Sequence, residues 1–125
     1  GAHPDLIEFE RKFVKAAKAY SIPIFASEMW RSPERQQQLF HEGFSKALPN
    51  QSPHQFGLAV DIIHSTKGWD LTHKEWAMLF TIGKEVARKM NIEIENGFNW
   101  KFYDPAHWQI KDWKALKTDD GELLY

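Results

Sequence analysis

Two short segments of the 125-residue chain contain residue types that bind metal ions. The first segment, SPHQFGLAVD, has His54 at the end of a proline-containing loop and Asp61 in the apolar run that follows. The second segment, DPAHWQ, has Asp104 three residues before His107. A catalytic zinc ion takes three protein ligands and leaves one position for water. Two histidines and one aspartate form a chemically sound ligand set, with Asp104 as the carboxylate that accepts and returns a proton.

The composition restricts any metal site to His, Asp and Glu ligands. The chain has no cysteine, which excludes disulfides, cysteine–zinc sites and a thiol nucleophile together. The formal net charge is -1 and no long basic stripe occurs, so we do not expect nucleic-acid binding. No apolar run approaches the ~20 residues of a membrane helix, so we do not expect membrane insertion.

Each candidate residue also has an ordinary structural explanation. A single loop histidine is more often a surface or hydrogen-bonded residue, and Asp104 before Pro105 can simply begin a turn. The spacing Asp-x-x-His occurs twice, because Asp61 also precedes His64 by three residues. Spacing alone therefore leaves both His64 and His107 open as the third ligand. Strand residues three apart face opposite sides, which argues mildly against His64.

Arg31 is our candidate for the cation that stabilises the oxyanion of peptide hydrolysis. It stands where a predicted strand over 24–30 meets the next predicted helix. From spacing alone, a surface ion pair with Glu28 or Glu34 is favoured over this role. The remaining histidines, His3, His41 and His73, are interpreted as surface residues.

Three helices are predicted from hydrophobic spacing and from helix-start signals. Apolar residues at steps of three and four predict a helix over 5–20. A serine followed by proline at 32–33 begins a second helix that runs to about residue 42. Thr72 and Glu75 form a capping box, which begins a third helix that reaches about residue 90.

Four short strands are predicted between and after these helices, over 24–30, 58–63, 92–95 and 107–110. The order of elements indicates an α+β fold in which helices pack on a small antiparallel sheet. The length suits one domain over residues 1–125, and we expect the metal in a cleft at the sheet.

Three motifs together resemble the LAS-type zinc peptidases, which include D-Ala-D-Ala carboxypeptidases and dipeptidases and phage L-alanyl-D-glutamate endopeptidases. SPHQFGLAVD matches S-x-H-x-x-G-x-A-x-D at all five fixed positions. DPAHWQI is similar to the second signature, an acidic residue three before a histidine that is followed by an aromatic. MWRSPERQQQLF is similar to Y-R-S-x-x-x-Q. The resemblance covers roughly residues 24–110, and NGFNWKFYDPAHWQI is most similar to the phage-endolysin branch, where W-x-x-F-x-D-x-x-H is typical.

The resemblance implies a set of roles for the candidate residues. His54, Asp61 and His107 would bind one zinc ion, which favours His107 over His64 as the third ligand. Asp104 would act as general base and acid.

The resemblance also implies substrate contacts. Arg31 would contact the substrate or the oxyanion, and Ser52 would orient its loop or contact the substrate. We expect Phe98 and Trp108 to border the substrate as well. The endolysin branch often has Gly-Gly before the next tryptophan, where this chain has Gly97 and Phe98, so Phe98 is expected to reshape the rim of the cleft.

The implied activity is zinc-dependent cleavage of peptidoglycan stem peptides, with the bond between L-Ala and D-Glu as the expected target. The alternatives are a D,D-carboxypeptidase or dipeptidase acting on D-Ala-D-Ala ends, and a non-catalytic zinc-binding relative. We expect a monomer that is made in the host cytoplasm without a signal peptide. It would reach the cell wall through a holin or inside a virion. Phages of Gram-negative hosts are the favoured source, and a host prophage is equally compatible.

Overall fold

The computed structural model describes residues 2–29, 33–42 and 53–117. Its helices and strands, in chain order, are α1 (Pro4–Ala19), β1 (Ile24–Glu28), α2 (Pro33–His41), β2 (Ala59–His64), α3 (His73–Met90), β3 (Ile94–Gly97) and β4 (Asp104–Ile110). Short 3-10 helices lie at Pro53–Phe56 and Trp113–Leu116. The predicted order of helices and strands is confirmed. The predicted bounds differ most in β4, which begins at residue 104 rather than 107.

The four strands form one antiparallel sheet in the order β1-β2-β4-β3. The two central strands, β2 and β4, carry the candidate residues Asp61, Asp104 and His107. Helices α1 and α3 pack against each other and against the sheet. The predicted α+β fold with helices on an antiparallel sheet is therefore confirmed. Within the described ranges, no helix combines the length and apolar character that a bilayer span requires.

Aromatic side chains fill the centre of the core between the helices and the sheet. The ring of Trp108 on β4 lies 5.4 Å from the ring of Phe9 and 5.1 Å from that of Phe13, measured between centroids. Both phenylalanines lie on the buried face of α1. This packing ties β4 firmly to the helix layer, because buried aromatic rings contribute a large apolar area.

The prediction that Trp108 borders the substrate is wrong. Its side chain is 1% exposed and belongs to the core. Adjacent residues of a strand face opposite sides of the sheet. Because His107 faces the candidate site, Trp108 must face the helices.

Helix α3 begins as predicted. The Thr72 hydroxyl accepts a hydrogen bond from the backbone N–H of Glu75 at 3.1 Å, and the Glu75 carboxylate accepts one from the backbone N–H of Thr72 at 3.0 Å. This reciprocal pair satisfies two N–H groups that the first helical turn leaves without partners. The start of α3 is thus fixed next to the loop that follows β2.

Gly83 lies in α3 directly against the ring of Trp108. A Cβ atom at this position would overlap Cη2 of the ring and would lie 2.6 Å from Cζ2. Alanine favours a helix over glycine by about 1 kcal/mol, whereas overpacking a core costs about 1–3 kcal/mol. Because the overlap involves several ring atoms, we expect a cost near the upper end of that range, so Gly83→Ala should lower the free energy of unfolding by about 2 kcal/mol in a urea titration.

Thr81→Ala, at an exposed position of the same helix, is the matched control. It removes a β-branched residue outside the core, so the free energy of unfolding should stay constant or rise slightly. A clear gain in stability for Gly83→Ala would mean that the Trp108 ring does not lie against α3.

Candidate metal centre

His54 is directed towards the sheet by a tight turn that leads into β2. The backbone N–H of Gly57 donates to the carbonyl of His54 at 3.1 Å, and that of Leu58 donates to the carbonyl of Pro53 at 2.9 Å. Gly57 has a φ of 68°, a conformation that glycine adopts without steric cost. The glycine three residues after His54 is thus a requirement of the turn. The imidazole of His54 is 2% exposed.

Asp61 and His107 meet across the central pair of strands. They are direct partners in the antiparallel register of β2 and β4. Side chains of directly opposed residues lie on the same face of a sheet, with their Cβ atoms about 4.5–5.5 Å apart. Both side chains are buried. Strand pairing therefore brings together two residues that are far apart in the sequence.

The ligand atoms of the three candidate residues form a small triangle. Nε2 of His54 lies 3.2 Å from Oδ1 of Asp61 and 3.0 Å from Nδ1 of His107, and the last two atoms lie 3.4 Å apart. Tetrahedral zinc, with bonds of about 2.0–2.1 Å, separates its ligand atoms by about 3.3 Å. Among the described residues, these three form the group whose atoms could hold a metal ion. Their chemistry and their spacing fit zinc.

The charges of the group favour a bound cation. Burial would raise the pKa of Asp61, but His54 and His107 outweigh this effect and hold that pKa well below its ordinary value. Burial would lower the pKa of His107. The carboxylate of Asp61, which accepts a hydrogen bond and is charged, raises that pKa, as do the charge of Asp104 and the hydrogen bond accepted by Gln109. Asp61 therefore remains ionised, and the group attracts positive charge.

Asp104 lies on the face of the sheet that carries Asp61 and His107, because β4 is irregular between Asp104 and His107. It stands three residues before His107, so regular alternation would direct the two side chains to opposite faces. Asn96 on β3 lies opposite Trp108, but the next residue, Gly97, lies opposite Asp104 rather than His107. The additional residues of β4 form a bulge. Beyond the bulge, the register places Asp104 on the face that carries His107.

Gly97 permits the close approach of the two strands at this bulge. A Cβ atom on Gly97 would overlap the carbonyl oxygen of Asp104 and would lie 2.9 Å from its carbonyl carbon. Any other residue would push the start of β4 away. The carboxylate of Asp104 is close enough to His107 for its charge to raise the pKa of that imidazole.

Two partners of His107 were not predicted. Oε1 of Gln109 lies 2.8 Å from Nε2 of His107, so it can accept the Nε2 proton and leave Nδ1 free to bind a cation. The ring of Trp100 packs against the imidazole, with 5.3 Å between centroids. Strand alternation could have found Gln109, because a residue two positions after His107 shares its face. Trp100 belongs to the endolysin-like segment, but nothing in that motif indicates its contact with His107.

His64 lies outside the triangle. Its Nδ1 accepts hydrogen bonds from the backbone N–H groups of Thr66 and Lys67, each at 3.1 Å. It therefore stabilises the turn after β2. The structure brings His107, rather than His64, next to Asp61.

Three residues predicted to contact the substrate remain. Arg31 and Ser52 lie outside the described residues. Phe98 is half-buried, and its ring lies 4.8 Å from the ring of His73 and 5.3 Å from that of Phe80. These contacts anchor Phe98 to α3, and its contact with the substrate stays a prediction.

The family model for VanY, D-alanyl-D-alanine carboxypeptidase, matches residues 2–113. The chain belongs to the VanY family. The resemblance to LAS-type peptidases is thereby confirmed, and the protein is a member of a family of hydrolytic peptidases. A comparison with curated proteins finds no match.

Solved structures share the VanY-family fold. The L-Ala D-Glu endopeptidase ChiX of Serratia marcescens is 31% identical, with a TM-score of 0.70 over 88% of this chain and 80% of that one. A mutant of the vancomycin-resistance D,D-pentapeptidase VanY in complex with Zn(II) is 17% identical, with a TM-score of 0.67 over 91% and 75%. The L,D-carboxypeptidase DacB of Streptococcus pneumoniae is 22% identical, with a TM-score of 0.64 over 92% and 70%. Because the last two are less than 25% identical to this chain, they show likeness of fold alone.

Substitution of the two competing histidines tests the metal centre. We expect His107→Ala to weaken zinc binding by more than the roughly 10–100-fold that loss of an outer-shell partner costs, because it removes a ligand. His64→Ala should leave zinc affinity close to that of the wild type, since His64 only holds a turn. Titration calorimetry with zinc measures both affinities. The opposite ranking would make His64 the third ligand.

Proposed function

We propose that the chain is a zinc-dependent peptidoglycan peptidase that cleaves the bond between L-Ala and D-Glu of stem peptides. The observation that carries the proposal is the convergence of His54, Asp61 and His107, whose ligand atoms lie 3.0–3.4 Å apart. Membership of the VanY family supports a peptidase, and the 31% identity to the endopeptidase ChiX supports the choice of bond.

His54 and His107 would supply two imidazole nitrogens to the zinc ion, and Asp61 would supply a negatively charged oxygen. The chemistry that a zinc ion held there would supply is a coordinated water with its pKa lowered to about 7 and a polarised scissile carbonyl. The lowered pKa of Asp61 keeps it ionised as a ligand. Gln109 Oε1, 2.8 Å from Nε2 of His107, would hold the imidazole so that Nδ1 is available as the ligand atom.

Asp104 would carry the proton during hydrolysis. It accepts a proton from the attacking water while the water oxygen bonds to the amide carbon, and it then gives that proton to the leaving nitrogen as the C–N bond breaks. Its position on the same face as His107 supports this role. We assign contact with the oxyanion or substrate to Arg31, and orientation of the metal-binding loop to Ser52, on the family motifs alone.

The nearest rival is a D,D-carboxypeptidase that removes terminal D-Ala, the activity after which the matching family is described. Mass spectrometry of digested substrates separates the two reactions. We expect intact sacculi to yield new N-terminal D-Glu groups and a free stem pentapeptide to release no D-Ala. Release of D-Ala without cleavage before D-Glu would establish the rival.

Removal of the metal tests the zinc requirement in the same digestion. A chelator should abolish cleavage, because it removes the ion that activates the attacking water. Added zinc should restore cleavage by reloading the three ligands. Cleavage that persists at full rate in the chelator would overturn the proposed chemistry. Metal bound without cleavage of any peptidoglycan substrate would favour a non-catalytic zinc-binding protein.

Asp104→Asn tests the proton carrier. The substitution keeps the size of the side chain but removes its basicity, so kcat should fall by about 10²–10⁴-fold. Zinc affinity should stay within about threefold of the wild type, because Asp104 is not a ligand in this scheme. Asp70→Asn, at an exposed carboxylate, is the control and should leave kcat unchanged. A near-normal kcat for Asp104→Asn would remove Asp104 from the mechanism.

We further propose that the enzyme acts at the bacterial cell wall as a monomeric lysin of phage or prophage origin. The peptidoglycan peptidase fold supports the cell wall as the site of action. The phage origin, with release by a holin or delivery in a virion, rests on the similarity of the segment NGFNWKFYDPAHWQI to phage endolysins. Phe102, Asp104 and His107 have the spacing F-x-D-x-x-H of that branch, whereas Trp100 stands one residue closer to Phe102.

A further inference from the structure

Asn96 is a buried polar residue of β3 to which the hydrolysis mechanism gives no role. Its side chain is 5% exposed and lies on the helix-facing side of the sheet, opposite Trp108. Nδ2 donates to the carbonyl oxygens of Pro105 and His107, each at 2.9 Å, and Oδ1 accepts from the backbone N–H of Phe98 at 2.9 Å. Both amide hydrogens and the amide oxygen are therefore engaged by the backbone.

The two carbonyl groups belong to the bulge that separates Asp104 from His107. Residues in a bulge lose regular partners in the strand ladder, and Pro105 has no backbone N–H with which to form one. The amide of Asn96 replaces such a partner. These hydrogen bonds fix the path of the backbone between Asp104, the proposed base, and His107, the proposed metal ligand.

We propose that Asn96 is a positioning residue for peptide hydrolysis, which holds the β4 bulge so that the carboxylate of Asp104 faces the site beside His107. The inference rests on the proposed function, because that function gives Asp104 its role. Asn96 touches neither the substrate nor the metal. It acts through the backbone between the two side chains.

The two ends of the bulge have different partners in the rest of the structure. His107 is also held by pairing with Asp61 on β2 and by the hydrogen bond with Gln109. Asp104 has a backbone partner in Gly97 at the edge of the bulge and leads directly into the hairpin loop. Loss of the Asn96 hydrogen bonds should therefore displace Asp104 more than His107. A displaced base lowers turnover, whereas metal binding depends on the ligands.

Hydrogen exchange in the zinc-loaded wild type tests the hydrogen bonds directly. Both side-chain amide hydrogens of Asn96 should exchange much more slowly than those of Asn91, which is exposed at the end of α3. NMR resolves the side-chain amides of both residues. Equal exchange rates would show that Asn96 does not clamp the bulge.

Two substitutions test the effect on hydrolysis. Asn96→Ala removes all three hydrogen bonds. Asn96→Asp keeps the volume and the acceptor for Phe98 but turns a carboxylate oxygen towards the two carbonyl groups. We expect kcat to fall about 10²-fold, the effect of a displacement of about 1 Å. KM should stay constant, and zinc affinity should change by less than about tenfold, the lower limit for loss of a ligand's own hydrogen-bond partner.

Val86→Ala is the control for stability, since Val86 is a buried apolar residue of α3. It should lower the melting temperature while kcat stays near the wild-type value. If Asn96→Ala and Asn96→Asp lose no more kcat than Val86→Ala at equal folded fraction, Asn96 is merely structural. Should both variants fail to fold, Asn96→Ser, which keeps a hydroxyl donor, is expected to retain part of kcat, and a wild-type kcat for it would overturn the inference.

A double substitution separates failure of this inference from failure of the proposed function. In an Asp104→Asn background, Asn96→Ala should cause no further loss of kcat, because the base that it positions is absent. Full additivity of the two losses would contradict a role through Asp104. If Asp104→Asn alone retains normal activity, the proposed function is wrong at its proton carrier and the inference falls with it.

Discussion

The register between β2 and β4 controls both the candidate site and the core. It places Asp61 opposite His107 on one face of the sheet and Val60 opposite Trp108 on the other. A slip by one residue would exchange these faces, because side chains alternate along a strand. The ring of Trp108, packed against α1, makes such a slip costly in apolar burial. The metal ligands are thus aligned by hydrophobic packing on the far side of the same strand.

The candidate site places an ionised carboxylate in a buried position, where charge is expensive unless it is compensated. Asp61 has two imidazoles within 3.4 Å, and the pKa of His107 is raised in consequence. The group therefore takes up positive charge as a proton or as a metal ion. Binding of a metal ion to the folded state alone would also stabilise the fold by mass action. Stability and metal binding are coupled through these few atoms.

Local sequence patterns predicted the helices, the capping box at Thr72 and the three residues of the triangle, because each depends on nearby residues or on a recognisable motif. The assignment of Trp108 to the substrate failed because the motif was read without the alternation of strand residues. Asn96 and the orientation of Asp104 depend on a bulge, which only the pairing of β3 with β4 reveals. No single segment of the sequence predicts such a long-range register. Arg31 and Ser52, assigned by motif, lie outside the described residues.

The hairpin over 98–103 joins β3 to β4 beyond the bulge, and it carries the exposed rings of Phe102 and Tyr103. On β4, by contrast, His107 and Gln109 belong to the site and Trp108 to the core. Within the hairpin, Trp100 packs against His107 and Phe98 is tied to Asn96 and to α3, so changes at these two residues would disturb the ligand geometry. Changes at the exposed Phe102 and Tyr103 would leave that geometry intact. An engineer who wishes to redirect the specificity of this scaffold would therefore diversify Phe102 and Tyr103 first.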